Sequence, residues 1–237
     1  MLFQKSPLMW VMITLGLFIA FKVILLIPLI GVAAILLMPI ILVGLMEGCR
    51  ALDLGQSLKP AYLASGFTRN TAALATLGAI YLAGNLLIIL VITQLGGDAL
   101  MQVLQFMSKQ KVTPENIDLI REAVSKATVA VLVGWLLSVP LVMACWFSPL
   151  LVYLHDMKIS TAMGVSLKAC LQNMMPFLVY GGLIFLALMI VTPVSMATRI
   201  LDLGMWLLAP LIIPSIYTSY KDIFPATDGP PAMGTPS

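Results

Sequence analysis

Charge is what this sequence has least of. Only 10% of its 237 residues are Asp, Glu, Lys or Arg, against about 25% in an ordinary soluble domain, while 61% are hydrophobic. A chain of this length could bury one core in water, but too few polar side chains remain to cover that core. A soluble globular domain is therefore excluded, and most of the surface is expected to face lipid. The formal net charge of +3 comes without any basic run, so nothing here would track a phosphate backbone and nucleic acid is not an expected partner. Histidine occurs once and cysteine three times. Cys49, Cys145 and Cys170 lie in or beside apolar stretches and form no C-x-x-C or Cys/His grouping, so they are expected to be small hydrophobic fillers rather than disulfides or zinc ligands. G-x-S-x-G, H-E-x-x-H, phosphate loops and spaced carboxylate pairs are also missing from the polar segments. No cofactor, no metal and no enzymatic activity are expected.

What is present is long apolar sequence. A helix needs about 20 apolar residues to cross the hydrocarbon core. From Pro7 to Met46 the chain is apolar over twice that length, with Lys22 its only charge and a breaker near Pro28 and Gly31. The expected fold is an all-α polytopic membrane helical bundle of six spans, at about 7–27, 30–49, 71–94, 127–154, 174–192 and 203–219, in a single domain covering 1–222. Gly96–Gly97 should end the third span. An outer loop, 95–126, should hold two helices, the second starting at Thr113–Pro114–Glu115 as N-cap, N1 and acidic first turn and running on into span four. Pro140 and Pro149 should kink that span, "TPVSMATRILD" should turn the chain before span six, and the Pro/Gly-rich tail, 223–237, should be disordered.

Six spans put both termini on one side. With the termini cytoplasmic, the inside carries Lys5, Arg50, Lys59, Arg69, Lys158, Lys168 and Lys221, and the outside Lys109, Lys111, Arg121, Lys126 and Arg199. The outside bases sit mostly in one loop whose acids cancel them, so the bias favours cytoplasmic termini. Residues 159–174 place Ile159, Met163, Leu167, Cys170, Leu171 and Met174 at helical spacing, opposite Ser160, Gly164, Lys168 and Gln172. This pattern predicts a short amphipathic helix at the headgroup boundary, and 56–69 has a poorer version of it.

Three stretches align where such segments enter a span: "FQKSPLMW" at 3–10, "FTRNTAAL" at 67–74 and "CLQNMMPF" at 170–177. Lys5, Arg69 and Gln172 correspond, then Ser6, Asn70 and Asn173, then Trp10, Leu74 and Phe177. Two readings stand: three repeated hairpins, each with its surface segment, or a short coincidence, since the prolines do not align. Asn70 and Asn173 suit either reading, as N-caps satisfying the first N–H groups of a new span or as polar groups lining a cleft.

The succession "MPIILVGLMEGCRALDLGQ", "GF-R", "WFSPLLVYLHDM", "SLKACLQNMMPFLVYG" and "YTSYKDIF" resembles a family of uncharacterised six-span bacterial inner-membrane proteins, over residues 3 to 224. The resemblance implies a multi-pass protein of the inner membrane and supplies no activity, substrate or catalytic residue. More distantly, the surface-helix-plus-hairpin scheme is similar to membrane domains fused to some glycerophosphodiesterases, a hint towards lipid by analogy.

The remaining candidates are polar. Lys22 is the one charge well inside a span, a functional candidate because burying it is costly, yet close enough to the outer end to snorkel. Glu47, Arg50 and Asp53 are three residues apart on one helical face and read as an ion-pair ladder; Arg199 and Asp202 repeat that spacing. His155–Asp156 reads as an interfacial anchor, Tyr217 and Tyr220 as part of an aromatic belt, and Arg69 and Lys168 as headgroup-level bases. The sixteen methionines are scattered without M-x-x-M clustering and read as packing residues. The expected function is a non-enzymatic scaffold, assembly or regulatory membrane protein, with lipids and a membrane-protein partner or a second copy as its contacts. The alternative is a small transporter or channel for a lipid-like or small solute.

Overall fold

The computed structural model describes residues 2–25, 28–109, 117–198 and 203–225. Among them every regular element is helical: α1 (Leu2–Lys5), α2 (Pro7–Leu25), α3 (Pro28–Asp53), a 3-10 helix (Pro60–Phe67), α4 (Thr71–Lys109), α5 (Ile117–Trp146), α6 (Ser148–His155), α7 (Ile159–Gln172), α8 (Met174–Thr198) and α9 (Leu203–Ile223). Five segments of the described residues are long and apolar enough to cross a membrane: Pro7–Ile24, Ala34–Asp53, Thr71–Phe106, Ile117–His155 and Met174–Pro193. The chain is an all-α polytopic membrane protein. The expected sixth span falls on α9, whose 21 residues extend about 31 Å at 1.5 Å per residue.

The observed helices differ from the expected spans at their ends, for local reasons. Gly96 leaves helical geometry (φ −164°, ψ 23°) and the helix resumes at once, so Gly96–Gly97 bends α4 instead of ending it. The segment 98–109 is therefore a continuation of span three. Span four does extend back into the expected loop, to Ile117, but its proposed initiator Thr113–Pro114–Glu115 lies outside the described residues. Pro140 is accommodated within α5, whereas Pro149 goes with a break. α5 stops at Trp146, Phe147 adopts φ −102° and ψ −10°, and α6 restarts with proline in its first turn. The Phe147 N–H freed by the break is taken by Ser166 Oγ of α7 at 3.0 Å, which is why the break is tolerated at a buried position. The stretch 56–69 forms a 3-10 helix instead of an amphipathic α-helix. α8 runs on to Thr198, through much of the stretch expected to turn; residues 199–202, Arg199 and Asp202 among them, lie outside the described set, as does the tail from 226.

The helices fall into two compact units, residues 1–79 with 144–237, and residues 80–143. In the smaller unit the later part of α4 runs antiparallel to α5, as Gly84 faces Leu141, Gly134 faces Ile92, and Gly96 faces Ala130 and the Lys126 backbone. The seam on α5 is a row of small residues, Ala123, Ala127, Ala130 and Gly134. Such rows let helices approach closely where the hydrophobic effect gives no drive to associate. Leu86, Leu90, Leu132, Trp135 and Leu136 are left outward for lipid.

In the larger unit the core is concentrated near the entries and exits of the spans. Trp10, Ile40, Met46, Cys49, Leu74, Leu77, Phe147, Leu150 and Leu151 are all but fully buried, while the apolar window of α8 has no buried residue. Glycine makes this layer tight. The 3-10 helix lies directly on α3, with Gly44 against the Leu63 backbone and Gly66 against the Ile40 carbonyl, and Gly78 of α4 meets the Leu36 carbonyl on the same helix. A helix end that must sit in lipid gains from such backbone contact, because dispersion is the main attraction left to it.

Candidate functional site

Three times the chain passes from a short helix into a long one, through Ser6, through residues 68–70 and through Asn173. The carbonyl of Ser6 accepts the Trp10 N–H at 3.1 Å, that of Asn70 the Leu74 N–H at 2.9 Å, and that of Asn173 the Phe177 N–H at 3.2 Å. These are the three aligned positions, and each occupies the N-cap place through its backbone. The two asparagine side chains do something other than the expected N-capping. Asn70, held at φ 56°, donates to the Val152 carbonyl at 2.9 Å and to Asp156 Oδ1 at 2.8 Å. Asn173 donates backwards, to the Ala169 carbonyl of α7 at 2.9 Å. The last carbonyls of a helix lack partners within it; Asn70 closes the end of α6 in this way, whereas Asn173 adds its amide to a carbonyl that its own backbone N–H already reaches at 3.1 Å.

The returning helix ends are drawn into the same network. Lys5, at the first junction, donates to the Leu52 carbonyl at 3.0 Å, near the end of α3. Asp53 at that end pairs with Lys221 of α9 and accepts a long bond, 3.4 Å, from the Tyr217 hydroxyl. One turn on, the Tyr220 hydroxyl meets His155 Nε2 at 2.8 Å, tying α9 to α6. Asp156, in left-handed conformation just past α6, pairs with Arg69 and Asn70 at the second junction. Aromatic rings continue the tie beneath: Phe147 lies within about 6 Å, centroid to centroid, of Phe177, Tyr220 and Phe224. Tyr180 of α8 and Ser215 of α9 share a hydroxyl–hydroxyl bond of 2.5 Å. Tyr180 is early in its helix and Ser215 late in its own, so α8 and α9 run antiparallel. The arrangement is a clasp: the starts of α2, α4 and α8 and the ends of α3, α6 and α9 are joined end to end.

The expected Glu47–Arg50–Asp53 ladder splits at this clasp. Arg50 keeps Glu47 at 3.3 Å, but Asp53 is claimed by α9. Lys168 stands exposed on α7, whose protein-facing stripe is Ala162, Ser166, Ala169 and Cys170. Leu171 is on the outward side and half exposed, so the apolar side expected from spacing is rotated by part of a turn, because small residues admit the closest approach to α6. Lys22 is not part of the clasp; its ammonium lies 5.5 Å from the centroid of the Phe18 ring one turn earlier, a cation–π contact. Among the described residues no three His, Cys, Asp or Glu side chains are grouped as metal ligands. Sequence reasoning missed Lys5, Tyr217 and Tyr220 as clasp residues. The spacing of Tyr217, Tyr220 and Lys221 places all three on one helix face, and that was the available signal.

Asp156 lies outside the spans, and its carboxyl is held below the ordinary carboxylate value, first by the Asn70 amide and then by Arg69. The clasp therefore binds its anion in the ionised form.

No family model matches this chain, and no solved structure matches it either. A protein of Burkholderia thailandensis described as a probable inner membrane protein is 30% identical over 190 residues, which are 78% of this chain and 68% of the relative. The chain belongs to the same family of bacterial inner-membrane proteins as that relative.

Proposed function

We propose that the protein is a non-enzymatic scaffold or assembly factor of the inner membrane, built to hold helix ends in a fixed arrangement beside lipid headgroups. The clasp is the observation that carries this reading. A permeation path needs polar groups free to face a passing solute; here Asp53, Asn70, His155, Asp156, Tyr220 and Lys221 are engaged within the clasp and Lys5 with the Leu52 carbonyl. Beside the clasp, α7 presents Ser160, Thr161, Gly164, Lys168 and Leu171 outward, a mixed face of the kind partner contacts use. Extraction in native membrane patches followed by native mass spectrometry should find a partner polypeptide, or a second copy, at fixed stoichiometry, and Leu171→Gln with Lys168→Glu should release it. Solute flux through reconstituted vesicles that disappears with Lys22→Met would replace this reading with the transporter.

The same reading places both termini in the cytoplasm, following the bias of basic residues described above. It also makes α9 a full span, since its antiparallel run against α8 returns the chain to the clasp. Reporter fusions after Ile223 should be active in the cytoplasm and fusions at Gln110 in the periplasm; the reverse pattern would invert the assignment.

A further inference from the structure

The charges around the clasp do not cancel. Glu47 pairs with Arg50, Asp53 with Lys221 and Asp156 with Arg69, so three acids and three bases are matched. Lys5, Lys59, Lys158 and Lys168 stand near the same helix ends with only Asp222 against them. The excess is three positive charges, which is the whole formal net charge of the chain, +3. In segment 98–126, by contrast, four bases meet four acids. Lys5 donates to a neutral acceptor, the Leu52 carbonyl, which leaves its charge in place. Lys59, Lys158 and Lys168 are exposed and have no carboxylate partner among the described residues.

Each of these lysines lies within a few residues of the end of a long apolar segment, where a chain passes from acyl chains to headgroups. Exposed apolar side chains accompany them. Leu54, just past α3, is 67% exposed, and Phe67, ending the 3-10 helix, is 52% exposed. Cations beside apolar area suit an interface, where acyl chains take the one and headgroups the other. The lysines come from four separate places: before α2, before the 3-10 helix, before α7 and on the outward face of α7. A single acidic small molecule needs polar groups that converge on it. A sheet of anionic headgroups attracts dispersed bases equally well, through its surface potential.

We propose that the clasp side of the protein is a docking surface for anionic phospholipid. Lys5, Lys59, Lys158 and Lys168 meet headgroup phosphates, and Leu54 and Phe67 lie among the first acyl carbons. Glu47, Asp53 and Asp156 are held by neighbouring bases, so their repulsion of the phosphates is offset locally. The clasp thereby does two things at once: it joins the helix ends, and it leaves the surplus bases facing the lipid. The surface does not depend on the scaffold reading, since a transporter with these helix ends would carry it too.

The test uses the full chain in nanodiscs of equal parts dioleoyl phosphatidylglycerol and dioleoyl phosphatidylcholine, with native mass spectrometry counting the lipids retained on release. Wild type should retain phosphatidylglycerol in preference, and the preference should shrink as salt rises, because exposed charges are screened. Lys59→Gln and Lys158→Gln each remove one exposed charge outside the regular helices. Each should lower the preference about fivefold, and the double variant should lower it further. Unfolding temperatures in pure phosphatidylcholine are the folding control, where both variants should match wild type. Inorganic phosphate should not displace the retained lipid. The proposal is overturned if wild type retains both lipids equally, or if both variants keep the wild-type preference. Displacement of the lipid by phosphate, or co-isolation of an acidic polypeptide in its place, would overturn it as well.

Discussion

Gly66→Ala should be the most damaging small substitution in the larger unit. A Cβ at this position would lie 2.1 Å from the Ile40 carbonyl oxygen and 2.9 Å from its carbon. The obstruction is helix backbone, which cannot rotate aside as a side-chain tip can. The 3-10 helix would have to lift from α3, and overpacking of this kind costs about 1–3 kcal/mol. Lifting it would also open the layer that buries Ile40, Val43 and Leu58. Thermal unfolding in nanodiscs should show a clear fall in midpoint. The matched control is Gly164→Ala on α7, where nothing lies within 4 Å of an added Cβ. Alanine there should be neutral or stabilise by roughly 0.5–1 kcal/mol through helix propensity. Equal behaviour of the two variants would mean that the contact between the 3-10 helix and α3 is looser than described.

Asn70→Ala should be the most damaging change to the clasp. It removes the bond to the Val152 carbonyl, worth about 0.5–1.5 kcal/mol, and leaves an alanine at φ 56°, where an L-residue without a local polar group is disfavoured by roughly 1–2 kcal/mol. Asn70→Gly keeps the backbone at ease and loses only the side-chain bonds, so it should fall between wild type and Asn70→Ala. Acid should reveal the remaining partner. The Asp156 carboxyl is depressed in the folded protein, first by Asn70 and then by Arg69. Its contribution is complete above the ordinary unfolded carboxylate pKa, about 3.9, and is lost as pH falls through the lower folded value. The gap between wild type and Asn70→Ala in nanodisc unfolding should therefore be widest near pH 7 and narrow below about pH 4. A gap that stays constant across this range would separate the Asn70 effect from Asp156 altogether.

Much of the architecture was legible in the sequence, because lipid imposes its demands locally. A span must satisfy its own backbone hydrogen bonds and present apolar side chains, so length and hydropathy located the starts at Pro7, Thr71 and Met174. The aligned Ser6, Asn70 and Asn173 marked all three junctions, and the i→i+4 backbone bonds at those positions are the structural content of that faint alignment. The ends of helices were less legible. Gly96 bends α4 and does not stop it, and Phe147 interrupts an apolar run. In lipid no water waits to take a freed N–H, so a break is fixed by whether a group such as Ser166 Oγ stands nearby.

The sequence by itself determined the solvent, the helical class and the three places where a short helix gives way to a long apolar one, since each depends on residues within one or two turns of one another. Only the tertiary structure decided which polar groups meet. Lys5 with Leu52, Asn70 with Val152, His155 with Tyr220 and Asp53 with Lys221 are separated by 47, 82, 65 and 168 residues. Local periodicity placed Asp53 in a ladder with Arg50; the approach of α9 took it away. It also made Asn173 an N-cap, but the amide turned back to the Ala169 carbonyl, which the Asn173 backbone N–H also reaches. A polar side chain near lipid must find a partner, and its residue type states that need. Which partner satisfies it depends on how the helix ends are brought together, and that is a property of the packed chain.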